Sequence, residues 1–212
     1  MSVSGAKQHW LPFLAPLGAT FVLIGYLTTW LPHPTAGLTL IGLDISEWSK
    51  FLPQMQAGEL PNRDWFYLPP ITLALFLVLW SATWGNGRWQ TWGVRLLAIG
   101  VSLLAFPAIE VIRFEEASQW QPRVAMIAAV LVMALLAAVL GRWPRVSAGL
   151  IALAGLAGLI LPTWAYWAVR PVISALVGAP IGIGIGVWLN LLGHLLMMGM
   201  AIVRWQTNGR ES

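Results

Sequence analysis

Six stretches of this chain lack charge, or nearly so, over a length that only a lipid bilayer explains. Crossing about 30 Å of hydrocarbon at about 1.5 Å per residue needs roughly 20 apolar residues. Leu11 to Leu31 and Trp65 to Trp84 carry no charge, and Arg95 to Arg113 is interrupted only by Glu110. Val124 to Gly141 is short but clean, and Val146 to Val169 is rich in Ala and Gly. The last uncharged run, Pro171 to Val203, is too long for one crossing. Proline suits the first turn of a helix and disrupts its interior, so Pro180 divides this run into a short interfacial piece, Pro171 to Ala179, and a sixth span, Pro180 to Val203. The predicted fold is an all-α integral membrane protein, a six-transmembrane-helix bundle forming one polytopic domain over 1–212.

Charge sets the orientation and narrows the partners. Only 9% of residues are charged, against about 25% in soluble domains. The net charge of +4 comes from Lys and Arg scattered singly beside apolar runs, a pattern suited to lipid phosphates and not to nucleic acid. With both termini cytoplasmic, Lys7, Arg88, Arg95, Arg142, Arg145, Arg204 and Arg210 fall inside, and Lys50, Arg63, Arg113, Arg123 and Arg170 fall outside. The excess in short inner loops favours that orientation in a bacterial-type cell membrane. Among the 14 tryptophans, Trp10, Trp84, Trp89, Trp92, Trp143 and Trp205 cluster at the inner boundary, and Trp30, Trp48, Trp65, Trp120, Trp164 and Trp167 at the outer one, as an interfacial belt.

The one sizeable polar segment is the first outer loop, 32–64. Asp44 and Glu47 favour a helix N-terminus. Ile45, Trp48, Phe51, Leu52 and Met55 then share a face, which predicts a short amphipathic helix on the outer surface of the bundle.

Motifs for catalysis are missing: the sequence has no Walker loop, no His-Glu-x-x-His, no Gly-x-Ser-x-Gly and no intramembrane aspartate pair. The chain has no cysteine, which excludes disulfides and thiolate metal sites. Glu110, Asn190 and His194 are the strongly polar groups inside spans, where such groups are costly. Glu110 is one helical turn from Arg113, so an ion pair reaching the outer interface competes with a cation or proton site there. His194 can bond another helix, ligate one chlorophyll-type pigment, or move protons. No cofactor is required by the sequence.

Glycines at 178, 182 and 186 precede Asn190 and His194 at an unbroken spacing of four. At about 100° per residue Gly182, Gly186 and Gly193 lie within about 40° of one another, with Gly178 and Asn190 flanking them. Such a face lets a second helix approach closely. The fifth span offers a matching surface in Ala148, Ala152 and Gly155, whereas Gly184 points away and should tolerate bulk. These features lead to a non-catalytic membrane subunit or assembly factor with membrane lipids and other integral membrane proteins as partners. The alternative is a small transporter or channel with a polar path through Glu110, Asn190 and His194.

Overall fold

The computed structural model describes residues 11–33 and 39–208. Apart from one small hairpin, every regular element is helical. In chain order these are α1 (Leu11–Leu27), β1 (Thr29–Leu31), β2 (Leu40–Ile41), α2 (Gly42–Ser49), α3 (Pro53–Gln56), a 3-10 turn at Arg63–Tyr67, α4 (Leu68–Ser81), α5 (Trp89–Ser102), α6 (Ile109–Phe114), α7 (Gln121–Leu140), α8 (Pro144–Val177) and α9 (Ile185–Asn208). Four helical stretches are long and apolar enough to cross a membrane: Arg63–Ser81, Gln121–Leu140, Pro144–Val177 and Ile185–Thr207. Lys7, Trp10 and Arg210, which entered the orientation argument, lie outside the described residues.

Two of the six predicted spans are shorter than expected. The first stops at Leu27, and the chain passes into β1, which pairs antiparallel with β2. The third is broken. A 3-10 turn at Leu103–Ala105 follows α5, Phe106 is extended (φ −68°, ψ 129°), and helix resumes only at Ile109. Pro107 lacks an N–H and pushes the residue before it out of the helical region, so the proline ends the helix inside the predicted third span.

The fifth and sixth spans also divide differently. Helix α8 continues through Pro162 and Pro171 to Val177, and Gly178 closes it in the left-handed region at φ 68°. No separate piece therefore exists at 171–179, and Pro180 does not start a helix. Residues 179–184 instead form an extended passage pinned on both sides. The Tyr166 hydroxyl donates to the Gly182 carbonyl (3.1 Å), Arg170 Nε to the Ile181 carbonyl (2.7 Å), and Gly184 N–H to the Trp30 carbonyl (2.9 Å). Non-helical backbone at such a depth is stable only when its polar groups are bonded within the protein.

Helix α4 is the hub, packing against α1, α5, α7 and α8. The span containing it is 72% buried, whereas the α7 span is only 22% buried. That contrast separates an internal helix from a wall. Phe76, Leu77, Val78 and Leu79 of α4 form the centre of the main apolar core with Val22, Val130, Ile151 and Met197. A second core, beneath the small hairpin and α2, gathers Trp30, Phe66, Tyr166 and Val187 with Leu40 and Ile45. Trp30 therefore belongs to the interior and not to the belt. Its indole N–H donates to the Gly25 carbonyl at 2.8 Å.

The outer loop folds as a cap rather than as one amphipathic helix. Asp44 bonds back to the Ile41 N–H (3.2 Å), starting α2, and Pro53 begins a separate short turn. Ile45 and Leu52 point into the protein, while Trp48 and Phe51 are exposed.

Helices α1 and α9 meet through glycines spaced seven apart on each. A Cβ on Gly18 would sit 3.0 Å from the Gly193 carbonyl oxygen, and one on Gly193 would sit 2.8 Å from that of Gly18. Gly25 and Gly186 show the same reciprocal approach, at 2.9 and 2.6 Å. The two backbones are in contact with no side chain between them. Gly193→Leu should therefore cost about 1–3 kcal/mol or more by overpacking. Gly199→Leu, on the same helix with nothing within 4 Å, should be nearly neutral. Thermal unfolding of the two variants in detergent measures the difference.

Candidate functional site

The polar groups buried between helices converge on the carbonyl of Gly158. Pro162, inside α8, has no N–H to give the carbonyl four residues earlier, which is that of Gly158. The Asn190 side-chain amide of α9 donates to this carbonyl at 3.3 Å. Beside it, His194 places Nδ1 2.8 Å from the Asn190 carbonyl and Nε2 2.8 Å from Thr72 Oγ1 on α4. A carbonyl can only accept, so Nδ1 carries the hydrogen and Nε2 faces the Thr72 hydroxyl, which also lies 2.8 Å from the Leu68 carbonyl of its own helix. Asn190 and His194 have no exposed surface. A Cβ at position 158 would overlap both the imidazole and the Thr72 hydroxyl, so only glycine lets three helices meet there.

The predicted site residues separate into distinct places. Gly186 and Gly193 do form a close-packing face, but it meets Gly18 and Gly25 of α1 and not the fifth span. The fifth-span partner Gly155 instead admits Met198, as a Cβ there would lie 2.5 Å from its Cγ. Gly182 lies in the extended passage before α9, and Gly178 caps α8 with nothing within 4 Å. Gly184 is not the open position expected. Its N–H bonds to Trp30, and a Cβ there would overlap the Thr29 carbonyl. Glu110 is exposed on α6, and among the described residues it makes no ion pair with Arg113 or any other cation. It is not brought to His194.

A second constellation, which no local pattern in the sequence marks, closes the end of the bundle that carries α2 and α3. Arg123 lies in the first turn of α7, where a cation opposes the helix dipole, yet it is 1% exposed. Its NH1 bonds Glu47 Oε1 of α2 at 2.7 Å, its Nε is 3.6 Å from Asp64 Oδ1, and its guanidinium sits 4.3 Å from the centre of the Tyr67 ring. The Tyr67 hydroxyl donates to the same Glu47 oxygen. Lys50 continues the network to Glu47 Oε2 (3.6 Å) and to Glu115 (2.9 Å). Cap, α4 and α7 are thereby joined through one buried cation.

The network is not saturated by protein groups. Arg123 NH2 and the buried hydroxyls of Tyr26 and Ser46 have no hydrogen-bond partner. Basic residues at the head of an apolar run and acids in the preceding loop were visible in the sequence. Nothing local indicated that Glu47 and Asp64 would reach a residue some 60 to 80 positions later. Gly18 and Gly25, seven apart in the first span, were a readable signal for the α1–α9 contact. Among the described residues no group of three or more His, Asp and Glu is placed to hold a metal ion.

No family model, curated protein or solved structure matches this chain.

The pairing of Glu47 makes the cap sensitive to acid. Burial by itself would raise the Glu47 carboxyl, but the Tyr67 hydroxyl, Arg123 and Lys50 together hold it below its ordinary 4.5. Its contribution to stability is therefore complete above that ordinary value and lost as pH falls through the lowered one. Glu47→Gln should flatten this acid limb of the unfolding midpoint. Arg123→Met, which leaves two carboxylates without their cation, should cost about 3–5 kcal/mol, and adding Glu47→Gln and Asp64→Asn should recover much of it. Denaturation of the purified variants as a function of pH reads both effects.

Proposed function

We propose that this chain is a non-catalytic integral membrane subunit or assembly scaffold. In this reading it crosses the bilayer six times with both termini cytoplasmic, and other membrane proteins pack on its apolar flank. The observation that carries the proposal is the contrast between α4, wrapped on all sides, and α7, whose apolar surface is largely uncovered. Leu131, Val132, Leu135, Leu136 and Val139 stand exposed along it. Lipid accepts such a wall, and so does a second membrane protein. The ring of α5, α7 and the unwound segment at Pro107 gives it an irregular relief suited to a shaped partner.

Two further features favour scaffold over conduit. The groups expected to build a polar path are apart, with Glu110 exposed on α6 and Asn190 and His194 joined to α8 and α4. The His194 lone pair that a pigment would need faces Thr72. Imidazole in this setting acts as interhelical glue.

Three measurements test the proposal. Gentle extraction into lipid nanodiscs, with photo-crosslinkers at Leu135, should capture a stoichiometric membrane protein. Crosslinks to lipid alone would overturn the subunit reading. His194→Gln, which keeps one donor or acceptor, should preserve the yield of intact complex better than His194→Leu, whereas equal loss of a transport activity in both, with normal assembly, would favour the conduit. Single cysteines at Gly87 and Ser118 of this cysteine-free chain should label with an impermeant maleimide only at 118. Labelling at 87 would overturn the six-crossing orientation.

A further inference from the structure

A cavity of about 320 Å³ opens in the outer cap, lined by Lys50, Asn62, Arg63, Ser118 and Gln119 with Met55 among its apolar neighbours. Its polar wall carries donors on Lys50, Asn62, Arg63 and Gln119, beside Gln56 and Ser118, whose own donors are used on the Lys50 carbonyl and on Glu116. Arg63 is 7% exposed and has no carboxylate within 4 Å among the described residues. One of its terminal nitrogens, NH2, bonds the Gln119 side-chain oxygen at 2.6 Å, while the other, NH1, has no partner at all.

The two amides are oriented by what they already bond. Asn62 Oδ1 accepts from the Asp64 backbone N–H at 2.8 Å, and Gln119 Oε1 accepts from Arg63. Both of those partners can only donate, so each amide must present oxygen to them. What remains on Asn62 and Gln119 is N–H. Of the carboxylates nearby, Glu115 holds Lys50 at 2.9 Å, Glu116 accepts from the lining Ser118 at 3.4 Å, and Glu59 is exposed between the lining residues Gly58 and Leu60. Asp64 acts on this guanidinium only at a distance, and a buried guanidinium with no carboxylate in contact and one unpaired donor is unfavourable. Both deficits have the same remedy, which is a negatively charged acceptor.

We propose that this cavity binds an oxyanion, a phosphate or carboxylate group, held by Arg63 NH1 and the side-chain amides of Asn62 and Gln119. Guanidinium matches such groups in both charge and geometry. The anion can be a free solute or the headgroup of an acidic lipid, since both present the same oxygens. The site is separate from the Arg123 network, whose cation already has two carboxylates.

Asn62→Asp is the decisive variant. The new carboxylate still caps the Asp64 N–H, so the turn at Arg63–Tyr67 is retained, but a donor in the wall becomes a negative acceptor. The full chain, in nanodiscs of zwitterionic phosphatidylcholine, is titrated with inorganic phosphate and with acetate, and binding is followed by calorimetry and by the shift in unfolding temperature. In parallel, lipid retained from membranes containing phosphatidylglycerol is counted by native mass spectrometry. Saturable binding of phosphate or acetate, weakened at least tenfold by Asn62→Asp and by Arg63→Gln, supports a solute site. Retained phosphatidylglycerol that disappears in the same variants supports a headgroup site. Absence of both, or binding unchanged in an Asn62→Asp protein whose circular dichroism matches the parent, overturns the proposal.

Discussion

One carbonyl organises the inside of this bundle. By placing a proline at 162, the chain gives up a helical hydrogen bond in α8 and leaves the Gly158 oxygen in need of a donor. In hydrocarbon such a group is costly, and Asn190 of α9 answers it. Because position 158 has no side chain, His194 and Thr72 fit beside the same spot and bring α4 into the junction. The register of α9 against α8 is set where these bonds meet. A slip of one residue would turn Asn190 and His194 towards apolar surroundings and leave three polar groups unsatisfied.

The remaining contacts of α9 are compatible with that register. On its other side, Gly186 and Gly193 approach Gly25 and Gly18 so closely that backbone touches backbone. Close packing of this kind supplies dispersion contacts that lipid chains cannot match in density. Polar bonds specify where α9 sits, and glycine contacts hold it there. The capped end of the bundle relies on a different force. Arg123 stands where the helix dipole is unfavourable and is held by Glu47, Asp64 and the Tyr67 ring, so the cap is coupled to α4 and α7 electrostatically. Removing either partner of such a buried pair is far more damaging than its net contribution suggests.

Much of this was legible beforehand because apolar length and glycine spacing are local properties. The apolar runs located the long helices, and the glycine spacing identified a close-packing face on α9. The errors arose where proline was read by one rule. Pro107 ends its helix, with the Leu103 carbonyl taken locally by the Phe106 N–H (2.9 Å), whereas Pro162 stays inside α8, where Asn190 takes the freed Gly158 carbonyl. Pro180 falls within a passage whose backbone is bonded by Tyr166, Arg170 and Trp30. The same residue type has different outcomes depending on a donor that comes from elsewhere in the chain.

Composition, with 58% hydrophobic and 9% charged residues, and the length of the apolar runs pointed to helices able to cross a membrane, and four such helices are present among the described residues. The order of residues also placed Gly186 and Gly193 on one side of a helix, because that follows from the helical period, whereas Gly178 and Gly182 lie outside α9. The tertiary structure decided which helix meets each face and which buried polar groups find one another. It also decided that Arg63 should end beside a polar cavity with one terminal nitrogen unbonded among the described residues. Hydrophobic attraction is non-directional and leaves those choices open. Hydrogen bonds and ion pairs between residues far apart in the chain are directional, and their partners become definite only once the helices have docked.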